Sequence, residues 1–248
     1  MHAMTQSNLE VPRRFRRGQR ADDENETMQS AVWLIDHLCE HAGIPDLGGV
    51  DLLDIGCGVK FTQAILAHAL PLQRYVGVDV YRDMVEFLQD AVTDSRFAYA
   101  HIDAHNELYN PTGRPLTDLG HLSVDDQRFD LISLFSVFTH LAPHDFQAML
   151  RLARAHIRPH GLLFFTLFLN ETTSGGNGLM DALVRRGAAT VEGAEPPAFV
   201  DLDPATPLKW AVYSRPYALE LIEGTGWEVA EVADPVGFVQ HHIVCRPV

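Results

Sequence analysis

Cysteine is scarce in this 248-residue chain: Cys39, Cys57 and Cys245 are few, odd in number and far apart. That excludes a disulfide framework and points to a reducing compartment. No apolar run approaches the roughly 18 residues a membrane helix needs, and the N-terminus offers no signal-peptide core, so we expect a cytoplasmic protein with no membrane partner. Basic residues are outnumbered, 19 Lys and Arg against 33 Asp and Glu, which leaves a net charge of -14 with the 13 histidines neutral. Such a balance argues against a phosphate-tracking surface and makes nucleic acid a poor partner. Metal signatures are missing as well. His101, Asp103 and His105 alternate, His140 and His144 are four apart and His241 and His242 are adjacent, but none of these forms H-E-x-x-H or a paired C-x-x-C. Adjacent residues of a strand point to opposite faces, so the last pair cannot chelate one ion, and no metal is expected. There is no internal repeat and no long low-complexity run.

What is present begins at Val50-Asp-Leu-Leu-Asp-Ile-Gly-Cys-Gly58 and continues to Tyr75-Val-Gly-Val-Asp79. A short apolar run, two close glycines, a helix-compatible stretch from Thr62 to Leu70 and a second strand ending in a carboxylate make a βαβ unit around a nucleotide-like ligand. A dinucleotide fingerprint needs a third glycine where Phe61 stands. The Walker pattern fails too, because Lys60 follows Gly58 without the four-residue spacer. Further apolar runs at Phe97–Ile102, Phe129–Phe135 and Gly161–Leu169 predict three more strands, covered on both faces by helices. Trp227–Val232 and Phe238–Val244 predict two closing strands.

Asp54-Ile-Gly-Cys-Gly58 resembles motif I of the class I S-adenosylmethionine-dependent methyltransferases, and Asp79 falls where that family keeps its ribose-binding acid. The resemblance covers about Leu47 to Val248. It implies an α/β fold: a doubly wound, Rossmann-like seven-stranded sheet of order 3-2-1-4-5-7-6, last strand antiparallel, with helices on both faces and a cap. It implies S-adenosyl-L-methionine as cofactor, S-adenosyl-L-homocysteine as product, and a cofactor site built from Asp54, Gly56, Cys57, Gly58, Asp79, Val80, Asp103, Ala104 and Phe135. Glycines let backbone approach the ligand, a helix N-terminus receives its carboxylate, and an ionised Asp79 can accept from both ribose hydroxyls. Glu107–Gly113, Phe135–Leu141 and Arg158–Gly161 look like a bacterial subgroup that tailors glycans and secondary metabolites. Lys60, where many relatives have a third glycine, departs from the pattern and is assigned no role.

Methyl transfer from a sulfonium asks the protein to align the nucleophile, exclude water and remove a proton. His140, a few residues past the fourth strand, is the expected base, although the same histidine could instead cap the next helix. Thr139 and His144 join it as catalytic candidates, Ser136 and Phe135 would flank the methyl group, and His105 and Tyr109 are weaker alternatives. The expected activity is O-methylation of a small molecule, a sugar or secondary metabolite, by a chain that could form a homo-oligomer. The alternatives are an RNA or protein methyltransferase, or a cofactor-binding protein without catalysis.

Residues 1–45 are expected to form an arm and cap helix, and 46–248 the methyltransferase domain, with a substrate-facing insertion at about 170–213. The arm concentrates five arginines between Pro12 and Arg20, followed by the acidic run Asp22–Glu26. It could fold over the site and grip an anionic substrate, or be a solvated tail whose charges partly cancel; we expect the tail. The helix from Thr27 to His41 should pack over the cofactor cleft. In the insertion, Gly and Pro punctuate a region with one short helix at Leu179–Arg186, and Phe199, Leu202, Trp210 and Tyr213 either line a pocket or pack on the core.

Overall fold

The computed structural model describes residues 9–16, 23–124, 126–188 and 197–248, without the side chains of residues 24 and 25. In chain order its helices are α1 (Glu24–Ala42), α2 (Lys60–His68), α3 (Arg82–Ala91), α4 (Pro143–Arg154), α5 (Leu179–Arg185) and α6 (Arg215–Ile222). Its strands are β1 (Leu47–Ile55), β2 (Leu72–Asp79), β3 (Phe97–His101), β4 (Phe129–Leu134), β5 (Ile157–Leu169), β6 (Phe199–Asp201), β7 (Ala211–Tyr213), β8 (Trp227–Ala233) and β9 (His241–Pro247). Local signals set several helix ends. Asp23 accepts from the Glu26 N–H and opens α1, Gly43 closes it in the left-handed conformation, Pro143 occupies the first turn of α4, and Ser214 caps α6.

β1 to β5 run parallel in the order β3-β2-β1-β4-β5, β9 adds antiparallel to β5, and β8 pairs antiparallel with β9. Counting β8 and β9 as sixth and seventh, this is the expected 3-2-1-4-5-7-6 order. The addition is a ribbon of β6 and β7, with β7 running parallel to the end of β5 through Phe168↔Val212 and Leu169↔Tyr213. Several boundaries shift by a few residues from expectation, and two of the shifts have a visible cause. β5 begins at Ile157, before Pro159, because Ile157 pairs with Phe129 across an irregularity where a missing N–H is tolerated. β9 begins at His241 because Gly237, at φ 77°, turns the chain and Phe238 packs edge-on against Trp33.

The strands are apolar along their length because both faces are covered. Leu53, Val78, Ile132 and Phe165 belong to the layer against α4 and α6, whereas Leu52, Leu131 and Phe164 belong to the layer against α1, α2 and α3. The second layer also takes in the arm. Leu9, Val11 and Phe15 are buried, and Phe15 meets the rings of Tyr81 and Phe87 at 5.5 and 5.2 Å. The expectation of a solvated tail is therefore corrected for residues 9–16: Leu9 and Val11, which precede the arginines, are buried with the second layer, and Phe15, which lies between them, docks on the start and face of α3. Arg17, Arg20 and Asp22 lie outside the described residues. No described helix is long and apolar enough to cross a membrane.

Candidate active site

The glycine turn after β1 is shaped for close approach. Gly56 sits at φ 72°, and a Cβ there would lie 2.5 Å from Val137 Cγ2, so only glycine admits the turn that follows β4. The Gly56 and Cys57 N–H groups donate to the Val78 carbonyl at 2.8 and 3.1 Å, tying the turn to β2. Asp79 ends β2 and accepts from the Gly58 N–H through Oδ2 and from the Tyr81 N–H through Oδ1, both at 3.0 Å. One carboxylate thus joins the glycine turn to the turn entering α3. α2 opens directly behind Gly58 and Val59 with no side-chain cap on its first turn, the place where an anionic group is best received.

Other candidates sit behind this surface. Asp54 is buried, with its oxygens 2.7 Å from Tyr75 Oη and Ser133 Oγ, which both donate to it. Burial pushes its pKa up to about 7 against the pull of those hydrogen bonds, with Asp79 adding to the rise. Asp54 thus braces β1 between β2 and β4 from inside the sheet. Cys57 turns inward as well: a Cβ on Gly77 would come within 2.9 Å of its Sγ, and burial raises the thiol well above its usual value. Only the backbone of Cys57 is left to face a ligand. Val80 lends its carbonyl to His101 Nε2 at 3.1 Å, and Tyr81 stacks on Tyr109 with centroids 5.5 Å apart. Asp103 is exposed beyond β3, touched by Asn110 Nδ2 at 3.2 Å, while Ala104 is buried where the 104–114 loop folds back on it. Phe135 packs between Phe61 and Phe164, at 5.3 and 5.2 Å, next to the glycine turn.

On the other side of the turn after β4, the catalytic candidates separate. His140 ends a short 3-10 turn and its Nδ1 lies 2.6 Å from the Lys209 carbonyl. A carbonyl only accepts, so Nδ1 carries the proton and Nε2 is left with a lone pair. Burial holds the imidazole below its ordinary pKa, against the raising influence of Lys209 and Glu107. Lys209 itself pairs with Glu107, so the segment after β3, the turn after β4 and the segment entering β7 converge on His140. Tyr213 Oη donates to the Leu141 carbonyl beside them. Thr139 is fully buried, and its hydroxyl has no partner among the described residues. His144 is largely exposed on the first turn of α4, against Asp145, and lines a shallow depression with Thr117 and Arg151. Sequence spacing placed Thr139 and His144 near His140 along the chain; the tight turn aims their side chains elsewhere.

Ser136 was expected to flank the methyl group, but its contacts, and those of several other residues, had not been anticipated. Ser136 is held at φ 57°, its N–H donating to Thr166 Oγ1 at 2.8 Å, and its hydroxyl shares Gln240 with that of Thr166. Among the described non-glycine residues only Ala69, which closes α2, shares this left-handed conformation. At the end of β5, Glu171 takes hydrogen bonds from Arg215 and lies 3.2 Å from His241; burial alone would raise it, but the hydrogen bonds from His241 and Arg215 pull it down to about 2. Two groups of metal-competent side chains also form, His37–His41–His242 and Glu171–Asp234–His241. Only the i, i+4 spacing of His37 and His41 could have signalled the first.

The chain matches the family model for a methyltransferase domain over residues 15–232. Malonyl-[acyl-carrier protein] O-methyltransferase of Acetivibrio thermocellus is 28% identical over 104 residues, 37% of this chain and 37% of its own length, so the chain spans little more than a third of that relative. Among solved structures, an S-adenosylmethionine dependent methyltransferase from Mesorhizobium loti aligns with a TM-score of 0.57 at 15% identity, over 86% of this chain and 97% of that one. Magnesium protoporphyrin IX methyltransferase from Synechocystis, solved with bound SAH, aligns with a TM-score of 0.56 at 15% identity, over 95% and 92%. Taken with the glycine turn, Asp79 and the 3-2-1-4-5-7-6 sheet, the match over most of the chain establishes that this protein belongs to the methyltransferase-domain family, of the class I type that uses S-adenosylmethionine.

Proposed function

We propose that this protein transfers a methyl group from S-adenosylmethionine to a hydroxyl of a small metabolite, such as a sugar or secondary metabolite, with His140 as general base. The donor fits the residues present: Gly56 opens a cradle that a Cβ would fill, α2 offers uncapped N–H groups, and Asp79 presents acceptor oxygens for ribose hydroxyls. Backbone at Cys57 and Val80, the Asp103 carboxylate, Ala104 and the Phe135 ring complete the proposed cofactor walls. When bound, S-adenosylmethionine supplies a methyl group already activated on a sulfonium.

The remaining work falls to the chain. Lys209 fixes the His140 tautomer through its carbonyl, so Nε2 stands ready to take the hydroxyl proton as the oxygen attacks. Depression of the His140 pKa keeps the ring neutral at physiological pH. Phe135 and Val137 exclude water beside the glycine turn, and Ser136 orients the acceptor. We take residues 46–248 as the methyltransferase domain, with the insertion at about 170–213 carrying the acceptor-facing wall. The observation that carries this reading is the preset His140 tautomer. The net charge of -14 favours a small acceptor over RNA, and the Acetivibrio relative is by name an O-methyltransferase. The test is a screen of hydroxyl-bearing acceptors for S-adenosylhomocysteine release. Turnover of amines with no turnover of any alcohol or phenol would reject O-transfer.

A further inference from the structure

His37 and His41 lie one helical turn apart on α1, so their rings leave the same face, and β9 presents His242 directly opposite. His37 Nε2 is 2.6 Å from His242 Nδ1, and the ring centroids stand 4.4 Å apart for His37 and His41, 4.4 Å for His37 and His242, and 5.9 Å for His41 and His242. One ring nitrogen from each of the three falls within 4.8 Å of the other two. We propose that His37, His41 and His242 form a binding site for a divalent transition metal, zinc above all, that staples the cap helix α1 to the closing strand β9. The site shares no residue with the proposed donor site, from which Phe164 divides it, and does not depend on how His140 acts.

Three imidazoles select the ion class. Nitrogen donors suit zinc, copper and nickel, whereas magnesium and calcium want oxygen. A ligand must also be deprotonated, and here burial, then the neighbouring histidines, holds His242 down at about 3, while burial followed by His41 lowers His37. Both rings are therefore neutral at pH 7. In the structure one of them donates a proton to the other; for both nitrogens to face an ion, that proton moves to the far nitrogen of its own ring. The pair then opens from 2.6 Å to about 3.3 Å, the separation of two nitrogens around tetrahedral zinc.

The surroundings complete the case. Glu231 lies 2.8 Å from His41 Nδ1, the carboxylate–histidine arrangement that fixes a ligand's tautomer and leaves Nε2 for the ion. Trp33 stacks on His37 at 5.0 Å and Phe238 on His242 at 4.8 Å, so the rings are aimed by an aromatic shell. Glu231 is about half exposed and His41 reaches the surface, which gives an ion a way in and leaves a fourth position for water. The second group, Glu171–Asp234–His241, is a weaker candidate because Arg215 already supplies a cation to both carboxylates.

The experiment is titration of tag-free, chelator-treated full-length protein with zinc against a chromophoric competitor, and with cobalt followed by its visible d–d bands. Equimolar binding with a cobalt spectrum of nitrogen ligation is expected. Glu231→Gln should weaken it about 10- to 100-fold and His41→Ala at least as much. Glu231 is about half exposed and His41 mostly buried, so thermal unfolding verifies that each variant is folded. Absence of saturable binding, affinity unchanged in folded His41→Ala, or loss in Asp234→Asn but not in His41→Ala would each overturn the proposal.

Discussion

Asp79→Ala separates donor recognition from loop bracing. The wild-type carboxylate accepts from Gly58 N and Tyr81 N, each at 3.0 Å, on a partly exposed side chain. Hydrogen bonds to a charged group contribute about 1.5–3 kcal/mol, so losing two bonds to ribose hydroxyls should weaken S-adenosylmethionine binding by about 3–6 kcal/mol, or roughly 10²–10⁴-fold. The two turn contacts are worth less because solvent reaches them: about 1–3 kcal/mol of stability together. Calorimetric titration reads the first quantity and urea unfolding the second. Asp79→Asn keeps one acceptor oxygen and should fall between wild type and alanine in both. An alanine variant that loses stability yet binds the donor within about threefold of wild type refutes the ribose contact and leaves Asp79 as a brace alone.

His140→Ala should leave donor affinity intact and lower turnover by roughly 10²–10⁴-fold. The wild-type acid limb should lie below pH 6.5, because burial favours the neutral ring; a limb above 6.5, or turnover unchanged in the variant, removes His140 from the chemistry. Asp54 has a folded pKa raised from 3.8 to about 7, so its ionisation penalises the fold: its share of stability is full below pH 3.8 and is lost as pH climbs through 7. Asp54→Asn should flatten that decline in unfolding free energy measured across the window, and an unaltered slope counts against a strained carboxyl. Phe15→Ala, at a fully buried ring, should cost about 3–5 kcal/mol; a loss near zero by chemical denaturation would mean the arm is undocked in solution.

How far the sequence carried depended on whether a signal was local. β1, β2, β4 and β5 were legible because strands buried on both faces are continuous apolar runs, and the order followed from the Asp54–Gly58 and Asp79 likeness. β6 and β7, three residues each, have no period long enough to detect, and they exist because β5 extends past β4 and offers a free edge. The arm misled because five arginines outweigh three apolar residues in composition, whereas folding counts the buried side chains. At the site, backbone roles at Gly56 and Gly58 and the carboxylate of Asp79 could be read from residue type. Side-chain direction could not: Thr139 follows Phe138 into the core, and His144 swings out on α4. Contacts at long range were invisible. Gln240 reaches Ser136 across 104 residues, and His242 reaches His37 across 205.

Beyond the pairing of β7 with β5, the proposed acceptor wall is tied to the rest of the fold by side-chain contacts, three of them around His140: the Lys209 carbonyl on His140, the Lys209–Glu107 pair and the Tyr213 hydroxyl on Leu141. Two of these three engage main-chain carbonyls, which every amino acid provides. Substitution of the residues that carry them therefore leaves half of each fastening in place. On our reading of 170–213 as the acceptor-facing insertion, side chains along it can therefore change while the contact that sets the His140 tautomer is kept.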